Sequence, residues 1–206
     1  MDEATGAILA ELRRLYPQAK PELSFVNAYE ILVAAILSAQ CTDRQVNLVT
    51  ETLFEKFPDA ASLAAASLET VERYIKPCGF YHTKARHLIG TCQILVEQYG
   101  GQVPNDFNLL IKLPGVGRKV ANVVMAHAFG ADAIAVDTHV QRVSNRLGLA
   151  HARTPDRTEE QLRARIPKTD WSSAHLWIIT HGRRVCHARN PECAACTLAP
   201  WCESHA

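Results

Sequence analysis

The amino-acid sequence predicts an all-α protein. Three features carry that prediction. Apolar residues recur at intervals of three and four along most of the chain, helix-start and helix-stop residues bracket those stripes, and no alternating strand of useful length interrupts them. The run Ile31 to Leu37 is apolar throughout and fits a buried helix. Thr42 and Gln45 have capping-box spacing, and Val46, Val49, Leu53 and Phe57 follow at helical intervals. Leu88, Cys92, Leu95 and Tyr99 form a second stripe, closed by Gly100 and Gly101. Asn105 to Ile111 has helical spacing through Phe107, Leu110 and Ile111, and Val120, Val123, Val124 and His127 repeat in the same way. Ala133 to Val136 is the one strand candidate and is too short to carry a sheet. Thr138 can cap a helix bearing Val140, Val143 and Leu147, and Thr154-Pro155 starts another. Trp171 to Thr180 is apolar nearly all round and should be buried.

Composition bounds the function classes. At 206 residues, 48% hydrophobic and 21% charged, the chain has the makeup of an ordinary globular protein. No stretch approaches the roughly 20 apolar residues that span a bilayer, and the acidic N-terminus lacks a signal-peptide layout. A cytoplasmic protein with no membrane partner is expected, nucleoid-associated if bacterial. The net charge of +1 hides an asymmetry. Residues 1–75 carry 6 Lys/Arg against 11 Asp/Glu, whereas residues 76–153 carry 9 against 4. A basic middle fits a local polyanion-binding face or an uneven scatter of surface charge.

Seven cysteines, an odd number without an export signal, argue against a disulfide framework. Four of them form the pattern Cys186-x6-Cys193-x2-Cys196-x5-Cys202. Short spacings let a compact loop present four thiolates to one centre, which suits an iron–sulfur cluster or structural zinc. Cys41, Cys78 and Cys92 fall outside the pattern and read as buried thiols.

The segment Leu113-Pro-Gly-Val-Gly-Arg-Lys119 joins two helical patterns through a tight turn. Gly115 and Gly117 permit close approach of the backbone to a ligand, and amides at the start of the second helix suit a phosphate. Arg118 and Lys119 open that helix, where cations are disfavoured by the dipole. Two cations kept in that place point to a use for them.

This segment is followed by Val136-Asp-Thr-His-Val140, with Asp137 placed 18 residues after Lys119. The combination resembles the helix–hairpin–helix/Gly-Pro-Asp DNA glycosylase superfamily. Ser38-Ala-Gln-Cys-Thr-Asp43 and the terminal cysteines narrow the resemblance to endonuclease III, over about residues 20 to 203. It implies two helical lobes with a DNA-binding cleft between them: a helical barrel of residues 22–132 containing the hairpin, and an iron–sulfur cluster domain of residues 1–21 plus 133–206. It further implies a monomeric bifunctional DNA glycosylase/AP lyase of base excision repair, acting on double-stranded DNA with a damaged base or abasic site and releasing oxidised pyrimidines. Lys119 would be the amine nucleophile and Asp137 the essential acid. The amine must be neutral to attack C1′ of the sugar.

The resemblance places Gln40 in the hole left by an extracted base and matches Phe80 to an apolar wedge. A core aromatic after a turn is the other reading of Phe80. Lys84 and His139 are expected at phosphate or strand contacts, with Gly115, Gly117 and Arg118 at the hairpin. The same resemblance selects [4Fe–4S] for the four cysteines, and implies a monovalent cation at the carbonyls of Ile111, Leu113 and Val116. Two rival functions stay open: a monofunctional mismatch glycosylase, and a non-catalytic iron–sulfur DNA-binding protein.

Overall fold

The computed structural model describes residues 2–205, and every regular element among them is helical. The chain divides into two compact units, one of Pro21–Gly130 and one of Met1–Lys20 with Ala131–Ala206. The outer ends of the expected cluster domain, Met1 and Ala206, lie outside the described residues.

The continuous unit holds seven helices: α2 (Ala28–Leu37), α3 (Asp43–Lys56), α4 (Ala60–Ala64), α5 (Leu68–Ile75), α6 (Tyr81–Tyr99), α7 (Phe107–Leu110) and α8 (Arg118–Phe129). The apolar run in α2 is buried throughout, against α3, α6 and α8. Five of the seven helices start on a side-chain cap, from Asn27, Thr42, Asp59, Ser67 and Asp106. The two that do not are α6, which starts after Phe80, and α8, which starts after Gly117. Both uncapped ends carry residues singled out above. α6 stops at Gly100, whose φ of 59° lets its amide reach back to Leu95.

The discontinuous unit contains α1 (Glu3–Leu15), α9 (Thr138–Arg146), α10 (Pro155–Arg165) and α11 (Trp171–Arg184). Leu12, Val140, Val143, Leu162, Ala174 and Ile178 meet in its core. Beyond α11 the chain is irregular apart from 3-10 turns at Cys193–Ala195 and Ala199–Trp201. As expected, Ala133 to Val136 carries no sheet; the segment is buried, with the Ser172 hydroxyl in hydrogen-bonding reach of the carbonyls of Ala131 and Ala133. Two readings need correction here. The cap of α9 is Asp137 and not Thr138, since the Asp137 carboxylate reaches the Val140 amide. The segment Trp171 to Thr180 leaves one face open at Ser173. No helix among the described residues is long and apolar enough to cross a membrane.

Candidate functional site

The hairpin turn is built on α6. Gly115 adopts a φ of +76°, and a Cβ there would lie 2.8 Å from Nδ1 of His87. Any side chain would meet both a steric and a conformational cost. The Thr91 hydroxyl donates to the Pro114 carbonyl at 2.8 Å. Gly117 is different: its backbone is extended and a Cβ would touch nothing. Its effect is to leave the first amides of α8 without a side-chain cap, open to an anion.

Arg118 and Lys119 occupy the first two positions of α8. The Arg118 guanidinium lies 5.2 Å from the centre of the Phe107 ring, a cation–π contact that ties α8 to α7. Lys119 is half-buried and makes no hydrogen bond or ion pair among the described residues. A cation in the first turn of a helix, without a counter-charge, is destabilising by a few tenths of a kcal/mol to about 1 kcal/mol.

Asp137 stands in the other unit, at the end of the buried extended segment and half-buried itself. Its Oδ1 accepts from the Val140 amide at 2.7 Å, which fixes the carboxylate while Oδ2 stays unpartnered among the described residues. Two residues on, Nδ1 of His139 lies 3.2 Å from an Arg142 nitrogen. A guanidinium can only donate, so Nδ1 accepts and the neutral ring carries its proton on Nε2, as a donor. Arg142 also donates to the carbonyls of Gly182 and Cys186, so one residue links α9, α11 and the cysteine tail.

Gln40 and Phe80 are both exposed, and both take left-handed backbone conformations, φ 53° and 57°. Such conformations are uncommon for residues with a Cβ, and for a bulky side chain they store about 1–3 kcal/mol. Phe80 is 67% exposed, so it is not a core aromatic. The two loops are adjacent: a Cβ on Gly79 would lie 3.6 Å from the Gln40 carbonyl. Phe80→Gly should therefore keep folding stability within about 1 kcal/mol of wild type, where a buried Phe would cost several. Thermal denaturation checks this, and a loss of several kcal/mol would return Phe80 to the core. Lys84 departs from the expected phosphate contact. It is only 4% exposed, and its Nζ is buried without a hydrogen-bond partner.

In the discontinuous unit the four terminal cysteines line one cavity of about 150 Å³, together with Arg146 and His181. Cys186, Cys196 and Cys202 also pack against the apolar core. Arg146 donates to Sγ of Cys186 at 3.4 Å and to the His187 carbonyl at 2.7 Å. His181 Nε2 lies 3.6 Å from Sγ of Cys196, while its Nδ1 pairs with the Tyr16 hydroxyl at 2.9 Å. Burial lowers the His181 pKa to about 4, so this ring is neutral near pH 7. Among the described residues no group of three His, Cys, Asp or Glu side chains is set to hold a single metal ion. Sequence reasoning missed His87, Thr91, Arg142, Arg146, His181 and Ser172. Each acts across 20 or more residues of chain or through one side-chain bond, and leaves no local pattern.

Comparison with known proteins places the chain in a class of DNA-repair proteins. Residues 33–168 match the pattern of HhH-GPD superfamily base excision DNA repair proteins. Endonuclease III of Synechocystis sp. is 48% identical over 198 residues, 96% of this chain and 90% of the relative. Endonuclease III of Escherichia coli (strain K12) is 44% identical over 196 residues, 95% and 93% of the two chains. The structure of a trapped endonuclease III–DNA covalent intermediate, in its estranged-adenine complex, superposes with a TM-score of 0.94 at 44% identity. That match covers 100% of this chain and 98% of the other. The chain belongs to the endonuclease III family of the HhH-GPD superfamily.

Proposed function

We propose that this chain removes oxidised pyrimidines from duplex DNA and nicks the resulting abasic site, with Lys119 and Asp137 as its reacting groups. It is a bifunctional glycosylase/lyase of base excision repair, and its partner is DNA. The observation that carries the assignment of Lys119 is its place: an amine without a counter-charge, in the first turn of an uncapped helix, behind a turn pressed flat by Gly115. The uncapped amides hold a phosphate, which brings the amine to a neighbouring sugar.

In the reaction the Lys119 nitrogen, as a free amine, forms a bond to C1′ and the bond to the damaged base breaks. The sugar ring opens to a Schiff base, and loss of a proton from C2′ then breaks the C3′–O bond. The Asp137 carboxylate stabilises the positive charge that develops at C1′ and accepts or returns the amine proton through Oδ2. Gln40 and Phe80 fill the gap when the base leaves the stack, the backbone strain at both sites being the cost of presenting them. His139 donates from Nε2 to the strand, and Arg118 and the hairpin amides of Gly115 and Gly117 hold the backbone. A monovalent cation at the carbonyls of Ile111, Leu113 and Val116 belongs to the same reading.

Cys186, Cys193, Cys196 and Cys202 would hold a [4Fe–4S] cluster. Four thiols around one cavity of this volume fit a multi-iron group better than a lone zinc, which draws its sulfurs to about 2.3 Å. Bound there, the cluster cross-links a tail too short for a core of its own. Arg146 and the neutral His181 would donate to ligand sulfurs and offset their charge.

Duplexes each bearing one lesion test the proposal, with base release and strand nicking scored separately. Oxidised pyrimidines should be released and their sites nicked. Release without nicking would favour the monofunctional reading, and binding without release the non-catalytic one.

A further inference from the structure

His181 stands between a buried tyrosine and the cysteine tail. It lies on α11, and Tyr16 closes the C-terminal end of α1. Both are buried, at 2% and 8% exposure. The Tyr16 hydroxyl and His181 Nδ1 are 2.9 Å apart, and His181 Nε2 is 3.6 Å from Sγ of Cys196. The two rings also pack edge to face, with centres 5.9 Å apart. The His181 carbonyl accepts from the Cys186 amide at 2.9 Å, so this one residue meets two of the four tail cysteines.

We propose that Tyr16 and His181 form a hydrogen-bond relay, hydroxyl to imidazole to the Cys196 sulfur, through which α1 sets the reduction potential of the group the four cysteines hold. The relay rests on the [4Fe–4S] reading above. A cysteine that ligates iron is a thiolate and has no proton to give. Its sulfur must therefore accept from Nε2, which carries the ring proton. A neutral imidazole has one such proton, so Nδ1 is an acceptor and the Tyr16 hydroxyl must donate to it. The charge on the sulfur thus fixes the direction of both bonds.

Tyr16 is a positioning residue in this relay, acting on the sulfur through the ring. Without its hydroxyl the buried Nδ1 has no donor, and the other tautomer moves the proton there. Nε2 then turns a lone pair toward the thiolate, and an attraction becomes a repulsion. A donor at a ligand sulfur offsets negative charge and favours the reduced, more negative state, so the relay raises the potential. The hydroxyl and the ring lie 165 residues apart in the chain, so the pair has no local sequence pattern.

The test uses the intact protein purified anaerobically, with iron and sulfide assayed and the midpoint potential measured by protein-film voltammetry. His181→Phe fills the space of the ring without an N–H, and should lower the potential by about 59 mV, a tenfold change in the one-electron equilibrium. Tyr16→Phe removes the hydroxyl alone and should shift the same equilibrium about threefold, in the same direction. His181→Gln supplies an amide N–H that needs no tautomer, and should return the potential to near the wild-type value. In that background Tyr16→Phe should have no further effect. A pair that serves packing alone would change thermal stability in these variants and leave the potential where it was. An unmoved potential in both Tyr16→Phe and His181→Phe overturns the relay. A Tyr16→Phe shift that persists undiminished beside His181→Gln overturns it too, because the hydroxyl then acts without the ring. Should His181→Phe fail to take up iron, Tyr16→Phe with and without His181→Gln decides the matter. A wild type that holds no iron and sulfide removes the cluster reading and the relay with it, whereas unmoved potentials in loaded protein remove the relay alone.

Discussion

Lys119→Ala, mixed with a damaged duplex and borohydride, should give no covalent protein–DNA adduct, whereas the wild type is captured. Base release should fall by on the order of a thousandfold or more, since the step that loses its nucleophile has no substitute nearby. The expected effect on folding has the opposite sign. Lys119 bonds to nothing among the described residues and sits at the end of α8 where a cation is unfavourable. Alanine removes that charge and is the better helix former, so the variant should be as stable as the wild type, or more so by up to about 1 kcal/mol. Loss of activity with undiminished stability is the signature of a group held in place for chemistry. Lys119→Arg should not restore the adduct, because a guanidinium stays protonated and forms no Schiff base. If Lys119→Ala and wild type are trapped alike, another amine does the work and the assignment fails.

Much of the scaffold under that lysine is readable in the sequence, because it depends on local patterns. The buried run of α2, the Thr42 and Thr154 caps and the stop at Gly100 all follow from residues within a few positions of one another. The site is less readable, and the reasons differ from residue to residue. Asp137 and Thr138 are both good capping residues, and only the carboxylate's reach to the Val140 amide separates them. Lys84 lies four residues before Leu88, so the apolar stripe of α6 continued backwards runs straight into it. A charged residue on that face reads as surface by composition and as core by position, and position wins. The left-handed backbone at Gln40 and Phe80 has no sequence sign at all, since neither residue type favours it. His87 and Thr91 hold the Gly115 turn from 23 to 28 residues away, a relation set by the packing of α6 alone.

Asp137→Asn should separate the two tasks of that carboxylate. As the cap of α9 it needs only one acceptor oxygen toward the Val140 amide, and the asparagine carbonyl supplies one. Asparagine and aspartate are close to equal as caps, so thermal stability should hold within about 0.5 kcal/mol. Asp137→Ala loses the acceptor and should cost about 1 kcal/mol more. The reaction, by contrast, needs the negative charge and the proton affinity of Oδ2, and an amide offers neither. Single-turnover base release by Asp137→Asn should fall by roughly 10²–10⁴-fold, the range for a lost acid–base group, and Asp137→Ala should be no less impaired. The pair of measurements discriminates because a purely structural aspartate predicts the reverse order: asparagine active, alanine weakened only through stability. Should Asp137→Asn release bases at close to the wild-type rate, the carboxylate is a helix cap and nothing further, and the charge that develops at C1′ must be met by a group elsewhere in the chain.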